Sequence, residues 1–210
     1  MSILIDTSPD LKMQLIKNKI KNVDSIIYTH EHADHTSGIF ELRPFFWKNK
    51  KRIPIYGSKK TINELKKTFN YCFVPCHGYV PILTANIVNR KFRISKKKNY
   101  IDMQSFEVEH GDIKSTAYIF KNIAYLSDCN SIPKKYLKFF KNLDYLIIDC
   151  LRNLKHRSHF NYDDAIYLSK YLKPKKTILT NLHVDLDYFK LKKRLPKNII
   201  PAFDGLNFSF

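Results

Sequence analysis

The stretch Thr29-His30-Glu31-His32-Ala33-Asp34-His35-Thr36 decides how this chain is read. Between positions 30 and 35 it packs three histidines and two acids, directly after the apolar run Val23-Asp24-Ser25-Ile26-Ile27-Tyr28. Imidazole nitrogens and carboxylate oxygens are the donors that zinc, manganese and iron accept in sites left open to substrate. His30 and His32 are two apart, so on an extended segment they point to the same side. Asp34 and His35 follow where the chain is expected to turn into a helix, facing the same space from another direction. One short segment thus offers ligands to two metal ions. Histidine clusters also occur in solvated or low-complexity tracts. This one lies between a strand-like run and an amphipathic segment, where active sites of α/β proteins gather.

Working outward, strand-like runs alternate with helical patterns. Ile3–Ile5, Val23–Tyr28 and Ile53–Tyr56 read as strands. The spacing of Leu11, Leu15, Ile16 and Ile20 predicts a helix, as do 39–47 and 61–69. Residues 81–109 carry short β-rich runs, and 116–120 with 123–126 form an expected hairpin. Helices are expected near 134–140, at 162–172 and near 189–195. Strands are expected at 145–148 and 177–182, with a terminal strand pair at the end. At 210 residues, 44% of them hydrophobic, this is one α/β domain spanning 1–210.

The chain carries 37 Lys+Arg against 19 Asp+Glu, a net charge of +18. That excess attracts polyanions. The lysines are nevertheless scattered, and the Lys, Ile and Asn enrichment with few glycines resembles nucleotide-composition bias. Nucleic acid is therefore a partner left open but not favoured. No run reaches the length of a membrane span and no secretory signal opens the chain, so a cytoplasmic protein is expected. Of the four cysteines, Cys72 and Cys76 with His77 form a weak zinc pattern lacking a fourth ligand. Cys129 and Cys150 sit in apolar runs and read as buried thiols.

Further candidate ligands follow strand-like runs: His110 after Phe106–Glu109, Asp128 after Ala124–Ser127, and His183 after Thr177–Thr180. In a layered α/β fold such positions gather along one sheet edge.

His30-x-His32-x-Asp34-His35, His110-Gly111 and Tyr125-Leu126-Ser127-Asp128 resemble, in order and spacing, the successive motifs of the metallo-β-lactamase superfamily. The resemblance covers nearly the whole chain and implies an αβ/βα four-layer sandwich. Leu4–Leu11 and Arg157-Ser158-His159-Phe160 resemble the branch of phosphoribosyl cyclic phosphodiesterases, to which transfer-RNA 3′-processing endonucleases are related. By that resemblance His30, His32 and His110 hold one divalent ion, Asp34 and His35 a second, and Asp128 bridges them. Zinc and manganese are both expected. Asp34 and His159 are the implied catalytic residues, His159 as general acid. The branch commonly has Thr-His after the penultimate strand, which places Asn181 where the histidine belongs. A shift of two along a strand keeps the same face, so His183 is the expected replacement ligand. The family's usual first strands, ahead of Ile3–Ile5, are missing from this sequence, which is expected to leave an exposed sheet edge.

The implied function is hydrolysis of a small cyclic or diester phosphate. An RNA-processing endonuclease, a thioester or lactone hydrolase, a metal-binding remnant without activity, and a homodimeric assembly are the other readings left open.

Overall fold

The computed structural model describes residues 1–209. Two compact units divide the chain, Met1–Asp102 and a second beginning at Met103, each with its own sheet and apolar core.

The first unit runs β1 (Ile3–Ile5), α1 (Leu11–Lys17), β2 (Ser25–Ile27), α2 (Ala33–Thr36), α3 (Arg43–Asn49), β3 (Ile53–Gly57), α4 (Lys59–Thr68) and β4 (Leu83–Ile87). The sheet order is β1-β2-β3-β4 and every neighbouring pair is parallel. Parallel neighbours need crossovers, and helices supply those joining β1 to β2, β2 to β3 and β3 to β4. Leu11 and Leu15 of α1 and Ile62 and Leu65 of α4 share a core with Ile26 and Ile55. Ser58 caps α4 by accepting from the Thr61 amide, which fixes where that helix starts. The expected helix over 39–47 is two pieces, a 3-10 stretch at Ser37–Leu42 and then α3. Pro44 lacks an amide hydrogen and fits only the first turn of a helix, so α3 begins afresh there. Gly38 lets the turn after β1 dock on the histidine segment. A Cβ there would stand 2.0 Å from the Ser8 carbonyl oxygen. Its amide donates to the Thr7 carbonyl at 3.0 Å. At the end of the unit β5 (Lys91–Lys96) precedes β6 (Asn99–His110), and Arg93 grips Asp102 through two bonds of 2.6 and 2.9 Å.

The second unit continues along β6 into β7 (Ile113–Phe120), β8 (Ile123–Leu126), β9 (Tyr145–Asp149), α5 (Tyr162–Leu172), β10 (Lys176–Thr180), α6 (Tyr188–Arg194) and β11 (Ile199–Pro201). Within it the strand order is β11-β10-β9-β8-β7-β6. β6, β7 and β8 form an antiparallel meander, and β8 to β11 are parallel. The carboxyl ends of β6, β8, β9 and β10 therefore open on the same edge, where α/β sheets gather functional residues. α5 has the expected bounds. Ala165, Leu168, Ser169 and Leu172 fall on its buried face, and Asn161 caps it by accepting from the Asp164 amide.

One expectation is refined and two are corrected in this unit. Lys134–Phe140 is a 3-10 helix. The terminal strand pair is reduced, among the described residues, to β11 beside β10. β10 stops at Thr180 instead of running to Leu182, because Asn181 takes a left-handed backbone conformation with φ 62°. No helix among the described residues is long and apolar enough to cross a membrane.

Candidate metal centre

In the first unit the histidine segment is organised by Asp6, the residue that ends β1 with φ 59°. Its buried carboxylate accepts the Thr29 amide at 2.7 Å, the Thr29 hydroxyl at 2.7 Å and Nδ1 of His35 at 2.8 Å. With its hydrogen given to Asp6, the Thr29 hydroxyl is left to accept from Nδ1 of His30 at 3.0 Å. One carboxylate thus sets the tautomers of two imidazoles and turns Nε2 of each away from it. Burial pushes the Asp6 carboxyl up, against the pull of His35 and Thr29. His32 stands at the amino end of α2 with extended backbone, and its carbonyl accepts the Thr36 hydroxyl at 2.9 Å. The His30 ring centroid lies 4.6 Å from that of His32 and 4.3 Å from that of His35. Asp34 is exposed, with one carboxylate oxygen 3.4 Å from Nε2 of His35. Glu31 turns aside to Lys60 at 2.7 Å.

In the second unit His110 ends β6 and Asp128 follows β8. Nδ1 of His110 donates to the Ser158 carbonyl at 2.7 Å, so its Nε2 carries the lone pair, 3.7 Å from an Asp128 oxygen. Gly111 permits that approach, since a Cβ there would meet Ser158 Cβ at 2.8 Å. The Glu109 and Asn130 amides bond to Ser131 and Glu109 carbonyls, both at 2.9 Å, which ties the end of β6 to the Asp128 loop. His159 directs Nδ1 to Asp149 at 2.8 Å and places Nε2 3.9 Å from Asp128. Its ring stands edge-on to that of His110, with centroids 4.8 Å apart. Asp149 is fully buried and also accepts the Cys129 amide at 3.0 Å. Burial pushes its carboxyl up to about 6, an effect His159 opposes.

Asn181, not His183, reaches this group. Its amide nitrogen lies 3.2 Å from Asp128 and 3.3 Å from Asp149. The sequence-based choice of His183 assumed that the strand continued. It does not, so a shift of two residues no longer preserves the face. His183 is half-exposed with Nδ1 3.3 Å from Asp185. Cys72 is buried in the first unit's core and takes no part in a donor cluster with Cys76 and His77. Burial raises the Cys72 thiol to about 11. The organising roles of Asp6, Asp149 and the Ser158 carbonyl were missed from the sequence. For Asp149 the signal was present, an acid at a strand end like the other candidates.

The donor chemistry fits divalent metal ions. Metal-bound histidines characteristically direct the second ring nitrogen to a carboxylate, carbonyl or similar partner. His30, His35 and His110 all do so. Nitrogen and oxygen donors without thiolate suit zinc, manganese and iron. Two sheets with such donors at their carboxyl edges define a metallohydrolase-type α/β protein. The family described as the beta-lactamase superfamily domain matches residues 2–181, and the chain belongs to this metallo-β-lactamase superfamily of metal-dependent hydrolases.

Among solved structures, a diphosphatase from the PhnP family is 33% identical, with TM-score 0.87 over 97% of this chain and 77% of that one. The short form of human tRNase Z is 19% identical, with TM-score 0.71 over 99% of this chain and 87% of that one, a likeness of fold. An octanoyltransferase of Porphyromonas gingivalis is 28% identical over 211 residues. That alignment takes in 97% of this chain and 41% of the relative, so the chain spans about two fifths of that protein's length.

Proposed function

We propose that the protein is a binuclear metal-dependent phosphodiesterase acting on a small phosphate ester or diphosphate. His30, His32 and His110 would hold one ion and Asp34 and His35 the other, with Asp128 bridging. Zinc and manganese both suit this donor set. Two such ions supply Lewis acidity, lowering the pKa of water and neutralising charge on the phosphate.

The residues do the rest. Asp6, through Thr29, and the Ser158 carbonyl hold the ligand rings in the Nε2-donating tautomer. Asn181 donates to the outer oxygen of Asp128 and keeps that carboxylate oriented. The observation that carries phosphate ester over other substrates is the Asp149–His159 pair, 2.8 Å apart. Asp149 stabilises a protonated His159, whose Nε2 then gives its proton to the leaving alkoxide. The likeness to the diphosphatase supports the same substrate class. An RNA endonuclease is the second reading, favoured by the +18 charge and the tRNase Z-like fold.

The test is a hydrolysis screen of zinc- and manganese-loaded protein on bis-p-nitrophenyl phosphate, cyclic phosphates, nucleoside diphosphate esters, a thioester and precursor tRNA. Turnover of phosphate esters with two metals per chain is expected. Turnover confined to the thioester would overturn the reading.

A further inference from the structure

The far edge of the first unit's sheet is bare. β4 closes the order β1-β2-β3-β4, and among the described residues no strand lies on its other side. The ladder fixes which backbone groups are left over. β3 and β4 are parallel, with Ile53 opposite Leu83 and Gly57 opposite Ile87. The Ile53 amide donates to the Ile82 carbonyl at 2.9 Å, and the Val88 amide to the Gly57 carbonyl at 3.0 Å. In that register Ile82, Thr84, Asn86 and Val88 turn their polar backbone groups to β3. The amides and carbonyls of Leu83, Ala85 and Ile87 therefore point outward from the sheet.

An open edge is ordinarily blunted by a charge, a proline or a bulge. Leu83-Thr84-Ala85-Asn86-Ile87 has no charge and no proline, and its pairing with β3 is continuous, without a bulge. Ile87 is 53% exposed. A groove of about 360 Å³ runs beside the strand. Buried Phe73 and Leu83 line it with half-buried Ala85, and exposed Arg52 and Lys66 stand over them. No acid lines it. The groove lies at the amino ends of β3 and β4, since Arg52 precedes β3 and Leu83 opens β4. The histidine segment follows the carboxyl end of β2 in the same parallel sheet. The two sit at opposite ends of the strands, so the edge is not a subsite for a small substrate of the metal centre.

We propose that the β4 edge binds an extended acidic segment of another protein, which joins the sheet as an added strand. Its main chain bonds to the outward groups of Leu83, Ala85 and Ile87, the mode by which sheet edges capture peptides. Side chains at alternate positions face the groove. There carboxylates meet Arg52 and Lys66, and their methylene stems cover Phe73 and Leu83. The charge selects the partner. A second copy of β4 would bring an uncharged strand to a cationic groove and leave Arg52 and Lys66 unmatched. With 37 Lys+Arg against 19 Asp+Glu, this chain is itself poor in acidic segments.

The test is fluorescence polarisation of a short labelled peptide of alternating glutamate and valine with the full-length protein. Saturable binding with Kd below about 1 mM is expected, weakening with added salt. Ala85→Pro removes one outward amide and keeps the ladder to β3, the setting in which an edge strand accepts proline. It should weaken the peptide by about 10-fold or more, the equivalent of one hydrogen bond lost. Arg52→Glu combined with Lys66→Glu should do at least as much, and it decides the matter alone if the proline variant does not fold. Thermal unfolding and bound metal of the charge variant should stay near those of the parent. A peptide with lysine in place of glutamate should bind about 10-fold more weakly or not at all. Metal-free protein should bind the acidic peptide as metal-loaded protein does, so this result is read apart from any hydrolysis. Absence of saturable binding, or equal binding of the lysine peptide, would overturn the proposal. So would binding indifferent to both variants. A dimer of the parent in sedimentation, lost in Ala85→Pro, would replace the acidic partner with a second copy.

Discussion

The two units supply their candidate ligands in opposite ways. In the first, four donors come from six consecutive residues, and one carboxylate, Asp6, orients two of the rings. In the second, the candidate ligands His110 and Asp128 and their partners Asp149 and Asn181 each end or follow a different strand, and the general acid His159 comes from a loop. The first arrangement comes from one short segment whose rings are oriented by a single carboxylate, that of Asp6. The second exists only once β6, β8, β9 and β10 have found their register. Contiguous ligands depend on one orienting residue, Asp6, whereas gathered ones depend on the sheet that gathers them.

The largest expected effects come from the ligands themselves. Asp128→Ala and His32→Ala should each lower turnover by more than about 100-fold, the upper range for loss of an outer partner. Both should reduce bound metal to one ion per chain or fewer by elemental analysis. Two ions retained in either variant would break the assignment. Next comes His159→Ala. Metal content should stay near that of the parent, and turnover should fall by about 10²–10⁴ on substrates with an alkoxide leaving group. On p-nitrophenyl esters the loss should be small, because that anion leaves without a proton. Equal losses on both would make His159 a positioning group, and metal loss would make it a ligand.

The same contrast explains what the sequence revealed. Thr29–Thr36 was legible because its chemistry is contiguous and its flanking apolar run marks a strand. α5 was legible because its buried residues keep helical spacing and Asn161 caps it. His110 and Asp128 were found as polar residues closing apolar runs. Asp149 follows the same rule but lies just past the strand expected at 145–148 and was not singled out, because a lone acid there has many uses. Asp6 was not singled out, since nothing in the sequence says that it will bond to a residue 29 positions away. The 3-10 stretches at 37–42 and 134–140 carry apolar spacing close to that of an α-helix, and only Pro44 warned of the break in the first.

Asp6 gives the next test, smaller because it acts through other residues. Asp6→Asn should weaken metal binding by about 10–100-fold. The left-handed backbone at Asp6 suits Asn, so the effect comes from the lost bonds to Thr29 and His35 and not from backbone strain. Thr29→Val should act in the same direction by breaking the link to His30. A stability loss with unchanged metal affinity would make Asp6 a purely structural residue.

The smallest effects divide Asn181 from His183. Asn181 donates to Asp128 and Asp149, and a hydrogen bond to a charged group contributes about 1.5–3 kcal/mol. Asn181 is exposed, which puts its share at the low end, so Asn181→Ala should lower turnover by about 10-fold. His183 lies beyond the left-handed turn that ends β10, half in solvent and beside Asp185. His183→Ala should leave metal affinity and turnover within about two-fold of the parent, as surface substitutions do. The pair is decisive because the two positions swap roles if β10 runs on to Leu182. An extended strand would carry His183 to the Asp128 side and leave Asn181 with little to do. Metal titration of both variants by calorimetry separates these outcomes. A larger loss from His183→Ala than from Asn181→Ala would mean that the chain does not turn at Asn181.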